Sequence, residues 1–194
     1  MEQQIEETVA NIFNLYEAHG AQEYGERVSM LMHMMQCAQL AQAAGEEDEI
    51  ILAAFFHDIG HFFEGDEKMD IYGTQHHDDL GGKCLLEMGF PQKMADLVSS
   101  HVAAKKYLIY AEPSYYNELS EASKITLEFQ GGQMTAAEAA EFEQDPLAPL
   151  YVKIRRWDDL GKDADKPVLA SEIQQMKEMT YNYLLKLHAE TSNG

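Results

Sequence analysis

The stretch Ile50-Ile51-Leu52-Ala53-Ala54-Phe55-Phe56-His57-Asp58-Ile59-Gly60-His61 decides the fold of this chain. Residues 50–56 are uniformly apolar, and an apolar run of this kind predicts a buried helix over about residues 49–56. His57 and Asp58 follow at once, then Gly60 and His61. A polar cluster at the end of a buried helix must be paired, hydrogen-bonded or bound to metal, because unpaired burial is costly. Metal is the simplest partner for it.

Working outward, apolar residues recur at helical spacing through Ile5, Val9, Ile12 and Tyr16, and again through Val28, Leu31, Met35, Ala38 and Ala41. Strand-like alternation is nearly absent. Gly20 and Gly45 stand where helix-closing residues are expected, and Glu46 to Asp48 put negative charge on the next first turn. Further helices are expected over residues 74–88, 91–104 and 120–129. Thr135 with Glu138 reads as a capping box opening a short helix through Phe142, and Pro146 precedes one through Tyr151, Ile154 and Trp157. The last long helix is expected over residues 169–188. No repeat, low-complexity tract or linker divides the chain, so the expectation is one all-α domain over residues 1–194.

Composition narrows the function. The 194 residues carry 34 Asp and Glu against 14 Lys and Arg, a formal net charge of -20, which argues against broad contact with nucleic acid or an anionic membrane. An anionic ligand must therefore meet a local positive charge. Two cysteines, Cys37 and Cys84, offer no disulfide framework, and the acidic start (Glu2, Glu6, Glu7) has no basic signal region; a reducing cytoplasm is the expected setting. The eleven methionines, several of them at positions 30–35, read as core filler.

Other candidate ligands line up with His57 and Asp58: His33 on the second helix, His76 and His77 opening a later one, His101 near the end of the next, and Asp158 downstream. Singly, His33 or His101 is an ordinary core or surface residue. Together, these imidazoles and the two carboxylates supply donors enough for two transition-metal ions, with Asp58 suited to bridge them.

With these residues the sequence resembles the HD-domain metal-dependent superfamily, named for its His-Asp pair. Further stretches are similar to its mixed-valence diiron oxygenases, and within them to the 2-amino-1-hydroxyethylphosphonate dioxygenase family. They are Tyr24-Gly25-Glu26, Val28-Ser29, His33 with Gln36-Cys37-Ala38, His57 through His61, and His77 with Gly81. Downstream come His101-Val102-Ala103-Ala104-Lys105, Leu119-Ser120 with Ser123-Lys124, Gln130-Gly131-Gly132, and Arg155 through Asp159. By that resemblance, one iron would be held by His33, His57, Asp58 and Asp158, and the other by Asp58, His77 and His101. The resemblance implies a helical bundle with the Fe(II)/Fe(III) pair between its central helices. The family pattern of His, an acidic residue and then Gly favours His77, Asp78 and Gly81, which leaves His76 at the surface or supporting a ligand.

The same resemblance implies oxidative cleavage of the carbon–phosphorus bond of a 1-hydroxyphosphonate by dioxygen. 2-Amino-1-hydroxyethylphosphonate, giving glycine and phosphate, is the first choice, and the trimethylammonio and hydroxymethyl analogues are alternatives. Lys105 lies one turn beyond His101 and Arg155 three residues before Asp158, so each shares a helix face with a proposed ligand. Both are expected to bind the phosphonate, with His61 and Ser123 as further substrate contacts. Tyr24 and Glu26 would form a lid, although the family pattern has one more residue between the Tyr and the Gly-Glu pair. Met30 stands where the family pattern has Gln. A cage of Tyr107, Tyr110, Tyr115 and Tyr116 would favour the quaternary cation, although packing is the commoner use of such residues. Two other classes compete: a dinuclear phosphohydrolase, which needs no dioxygen, and a metal-bound scaffold without turnover.

Overall fold

The apolar run forms the centre of the molecule. The computed structural model describes residues 1–23, 26–63 and 76–192, and among them all regular structure is helical. In chain order the helices are α1 (Glu2–His19), α2 (Met30–Ala43), α3 (Asp48–Phe56), α4 (His77–Glu87), α5 (Gln92–Ser99) and α6 (His101–Ala111). Then come α7 (Glu121–Phe129), α8 (Ala136–Phe142), α9 (Ala148–Leu160) and α10 (Ala170–Ser192), with short 3-10 turns at Ile59–Phe62 and Pro113–Asn117.

Every residue of α3 from Ile50 to Phe56 is buried. A helix apolar on all sides has to be surrounded, and α2, α5, α9 and α10 pack around it. From α1, Tyr16 stacks on the Phe55 ring at 4.7 Å and donates its hydroxyl to the Phe55 carbonyl at 3.1 Å. Truncating such a fully buried Phe costs about 3–5 kcal/mol. A smaller cluster of Leu108, Ile109, Tyr115, Leu119 and Leu127 fixes α7 beside α6.

The structure alters several expected boundaries. The helix expected over residues 91–104 is two helices broken at Ser100, whose hydroxyl donates to the Leu97 carbonyl at 2.7 Å and competes with helix continuation. His101 therefore opens α6; it does not stand near a helix end. Residues 74 and 75, where the preceding helix was expected to begin, lie outside the described residues; α4 begins at His77, because His76 takes a left-handed φ of 58°. Gly45 has the expected positive φ of 76°, whereas Gly20 is right-handed. Gly20 is needed for space, since a Cβ there would lie 2.5 Å from the Tyr16 carbonyl oxygen. The capping box at Thr135 and Glu138 forms as expected.

One close approach positions the site. A Cβ on Gly60 would fall 1.7 Å from the His77 carbonyl oxygen, so only glycine lets the first turn of α4 rest on the turn after Asp58. Among the described residues no helix is long and apolar enough to cross a membrane, and Cys37 and Cys84 are free thiols.

Candidate metal centre

Asp58 stands at the exit of α3, and its two carboxylate oxygens face different pairs of histidines. Oδ2 lies 3.5 Å from His33 Nε2 and 3.4 Å from His57 Nε2. Oδ1 lies 3.5 Å from His77 Nε2 and 3.3 Å from His101 Nε2. Asp158, from α9, adds Oδ1 at 3.4 Å from His33 Nε2. Four imidazoles from four regions of the chain thus meet around one carboxylate, all buried.

The orientation of the rings tests whether metal fits. His57 Nδ1 donates to the Ala54 carbonyl at 2.9 Å and His101 Nδ1 to the Val98 carbonyl at 3.0 Å. Both carbonyls belong to the last turns of helices, where the backbone has no intrahelical donor. His33 Nδ1 donates across to Gly161, just beyond α9, at 2.9 Å. With Nδ1 carrying the hydrogen, the Nε2 lone pairs of these rings point into the cluster. His33 Nε2 then lies 3.1 Å from His57 Nε2, and His77 Nε2 lies 2.9 Å from His101 Nε2. A proton or a cation has to sit between nitrogens so close, and two cations beside a shared carboxylate satisfy all four rings at once. Imidazole and carboxylate donors suit iron, manganese or zinc. Cys37 also falls within ligand reach of His33 and His57. Its thiol, however, donates to the Trp157 carbonyl at 3.4 Å and approaches His33 on the Nδ1 side, away from the cluster.

The two pairs differ electrostatically. Burial lowers the pKa of His57, but Asp58 outweighs it and the value rises to about 9. His33 is raised too, against burial, by Cys37 and the two carboxylates. His101 is pulled down to about 3 by burial, with His77 adding to the effect. Burial and His77 likewise hold His61 well below its ordinary value; its ring stacks on His77 at 3.9 Å. Burial alone would raise both carboxylates, yet His57 and His33 keep Asp58, and Arg155 keeps Asp158, well below the usual range.

A pocket opens beside the His77–His101 pair, lined by His61, Lys105, Ser123, Thr126, Arg155 and Lys162 among others. Lys105 Nζ donates to Thr126 Oγ1 at 3.0 Å and to the Ser123 carbonyl at 3.4 Å. Burial, then Arg155, pushes its pKa down to about 7. Arg155 donates Nε to Tyr115 at 2.9 Å, one terminal nitrogen to Asp158 at 2.5 Å, and the other to Asp159 and, at 3.4 Å, to Ser123 Oγ. Those bonds use four of the five guanidinium hydrogens, so Arg155 braces Asp158 as well as facing the pocket.

The residues singled out in the sequence mostly converge. His33, His57, Asp58, His77, His101 and Asp158 form the cluster, and His61, Lys105, Ser123, Arg155 and Glu26 line the pocket. His76 is exposed. Tyr24 lies outside the described residues. None of the four tyrosines considered as a cation cage lines the pocket. Tyr107 stacks on Phe142, Tyr115 is spent on Arg155 and Asp159, and Tyr110 and Tyr116 face solvent. Lys162 escaped the sequence reading. Its ammonium donates to Glu26 Oε1 at 2.6 Å, Ser120 Oγ at 3.3 Å and Ser123 Oγ at 3.4 Å. Its place four residues after Asp158 was the available signal, hidden because Gly161 ends the helix between them.

Residues 30–151 match the family model of the HD domain. The fold and the His-Asp cluster are those of that family, and the chain belongs to it. Among named relatives it is 43% identical over 157 residues, 79% of this chain and 80% of the relative, to [1-hydroxy-2-(trimethylamino)ethyl]phosphonate dioxygenase (glycine-betaine-forming) of Leisingera caerulea. It is 40% identical over 158 residues, 80% of this chain and 79% of the relative, to hydroxymethylphosphonate dioxygenase of Gimesia maris. An uncharacterised protein of Acanthamoeba polyphaga mimivirus is 42% identical over 170 residues, 86% of this chain and 78% of that protein.

Proposed function

We propose that this HD-domain oxygenase cleaves the carbon–phosphorus bond of a 1-hydroxyphosphonate with dioxygen, yielding a carboxylate and inorganic phosphate. The observation that carries the reading is the division of the Asp58 oxygens between two histidine pairs beside a cationic pocket. The reaction balances as R–CH(OH)–PO3²⁻ plus O2 giving R–COO⁻, HPO4²⁻ and H⁺. The C1–H and C–P bonds break, and the two oxygen atoms pass to carbon and phosphorus.

In this reading His33, His57, Asp58 and Asp158 hold one iron, and Asp58, His77 and His101 hold the other. The mixed-valence pair supplies activation of dioxygen when bound. The pocket's own residues do the rest. Lys105 and Arg155 each have an N–H left for phosphonate oxygens, and Ser123 brings a hydroxyl to the same place. The buried Lys105 ammonium gains an anionic partner when a phosphonate dianion enters, which favours its protonated form. His61, kept neutral, would donate one ring N–H to the phosphonate or the C1 hydroxyl. Glu26 also lines the pocket, where its Oε1 accepts from Lys162 and Ser120 and holds that ammonium in place.

2-Amino-1-hydroxyethylphosphonate is the first substrate to test, beside the trimethylammonio and hydroxymethyl analogues named for the relatives. The experiment supplies iron-loaded protein with each compound, with and without dioxygen, and follows phosphate release and oxygen uptake. Equal amounts of both, with neither in the absence of dioxygen, are expected. Phosphate released from esters without dioxygen would replace this reading with a phosphohydrolase.

A further inference from the structure

Gln36 lies one turn beyond His33 on α2 and is 5% exposed. Its amide grips a backbone segment from both sides: Nε2 donates to the Asp163 carbonyl at 2.8 Å, and the Asp163 N–H donates to Oε1 at 2.9 Å. The gripped segment, residues 161–163, leaves the end of α9 and crosses α2. Its first residue accepts the Nδ1 hydrogen of His33 at 2.9 Å, and its second is Lys162, whose ammonium holds Glu26 and Ser120 at the pocket. The crossing is tight, because a Cβ on Gly161 would lie 2.8 Å from Cys37 Sγ and 3.2 Å from the His33 carbonyl oxygen.

We propose that Gln36 is a positioning residue that sets two distant parts of the site through this one strap. The inference rests on the metal reading of His33 given above. The Gly161 carbonyl fixes the tautomer and tilt of the His33 ring, and the next residue fixes the ammonium over the pocket. Gly161 and Lys162 each keep one bond to the end of α9, their N–H groups reaching the Trp157 and Leu160 carbonyls at 2.8 and 2.9 Å, but the helix itself ends at Leu160 and the chain past Lys162 has left it. The connection to α10 runs over residues 161–169 without a helix, and the two-point amide bond ties it to α2 at Asp163. The bonds to α9 hold only the start of the strap. The paired donor and acceptor fix its register.

The test uses Gln36→Met, which keeps length and burial but has no amide. Calorimetric titration without dioxygen, first with Mn(II) and then with inorganic phosphate, reads both ends of the strap independently of turnover. Wild-type protein is expected to take two Mn(II) ions and to bind phosphate. In Gln36→Met, one of the two ions is expected to bind about tenfold more weakly, the lower range for loss of a partner behind a ligand, and phosphate binding should weaken with it. Gln36→Glu, which can still accept from the Asp163 N–H, should fall between the two. Lys162→Met should weaken phosphate alone. Gln39→Met removes a comparable bond from α2 to Glu172, and should lower Tm while leaving both affinities unchanged. Wild-type Mn(II) and phosphate affinities in Gln36→Met would overturn the strap and leave the metal reading standing. Wild-type protein that takes up no Mn(II) would overturn the metal reading and the inference with it.

Discussion

The two halves of the cluster share Asp58 and little else. The half built on His33, His57 and Asp158 is set between α2, α3 and α9, with both of its rings tied to backbone carbonyls and with His33 and Asp158 reaching the pocket. It offers four protein donors, and Cys37 together with the two carboxylates draws its histidines upward in pKa against their burial. The half built on His77 and His101 offers three donors and faces Lys105 and His61 across the pocket, with His101 drawn downward. A position saturated by protein ligands holds an ion; one left short of ligands can accept a substrate. On the proposed metal reading, the unequal donor sets would separate retention from reactivity, although both positions use the same residue types.

The strongest way to break the comparison is to remove what the halves share. Asp58→Ala should abolish uptake of both ions and lower kcat/KM by at least about 10³-fold, beyond the 10–100-fold typical of an outer partner; metal analysis and turnover would show it. Splitting the halves comes next. His101→Ala should stop turnover yet leave one ion per chain, and His57→Ala should lose the other ion. Both rings are buried and bonded to a carbonyl, Ala54 for His57 and Val98 for His101, so each variant should also lower Tm, at a cost of about 1–3 kcal/mol for the orphaned polar groups. Loss of both ions in either variant, read by metal analysis, would erase the distinction drawn between the halves.

Lys105→Met tests the open side alone. It should raise the KM for the phosphonate by about 10–100-fold, the worth of one hydrogen bond to a charged group, with metal content unchanged. The smallest effect is in metal-stripped protein, followed as Tm against pH. His57, raised from 6.5 to about 9, contributes stability that is complete below pH 6.5 and is lost as pH climbs through 9. His101, lowered from 6.5 to about 3, contributes stability that is complete above 6.5 and is lost as pH falls toward 3. His57→Gln should therefore flatten the alkaline limb, and His101→Gln the acid limb.

The all-α class, the central helix and most of the cluster were legible because they follow from local pattern: an apolar run, helical periodicity, and a His-Asp pair at its end. What escaped depended on backbone path. The choice between His76 and His77 was settled by one left-handed residue, which turns the first ring to solvent and starts α4 on the second. The break at Ser100 moved His101 from a helix end to a helix start. Lys162 was hidden beyond Gly161, where periodicity no longer says which way a side chain faces. Arg155 was found, but its bracing of Asp158 was visible only once Asp159 and Tyr115 were seen around the same guanidinium.

By itself, then, the sequence determined the helices, the donor residue types and the need for a local positive charge in a strongly acidic protein. These depend on composition and short-range periodicity. The tertiary structure decided which oxygen of Asp58 faces which histidines, which half has fewer donors, and how a three-residue strap joins His33 to the anion pocket. Those features depend on contacts between segments as far apart as residues 33 and 161, and a one-dimensional pattern carries no information about the direction in which such segments meet.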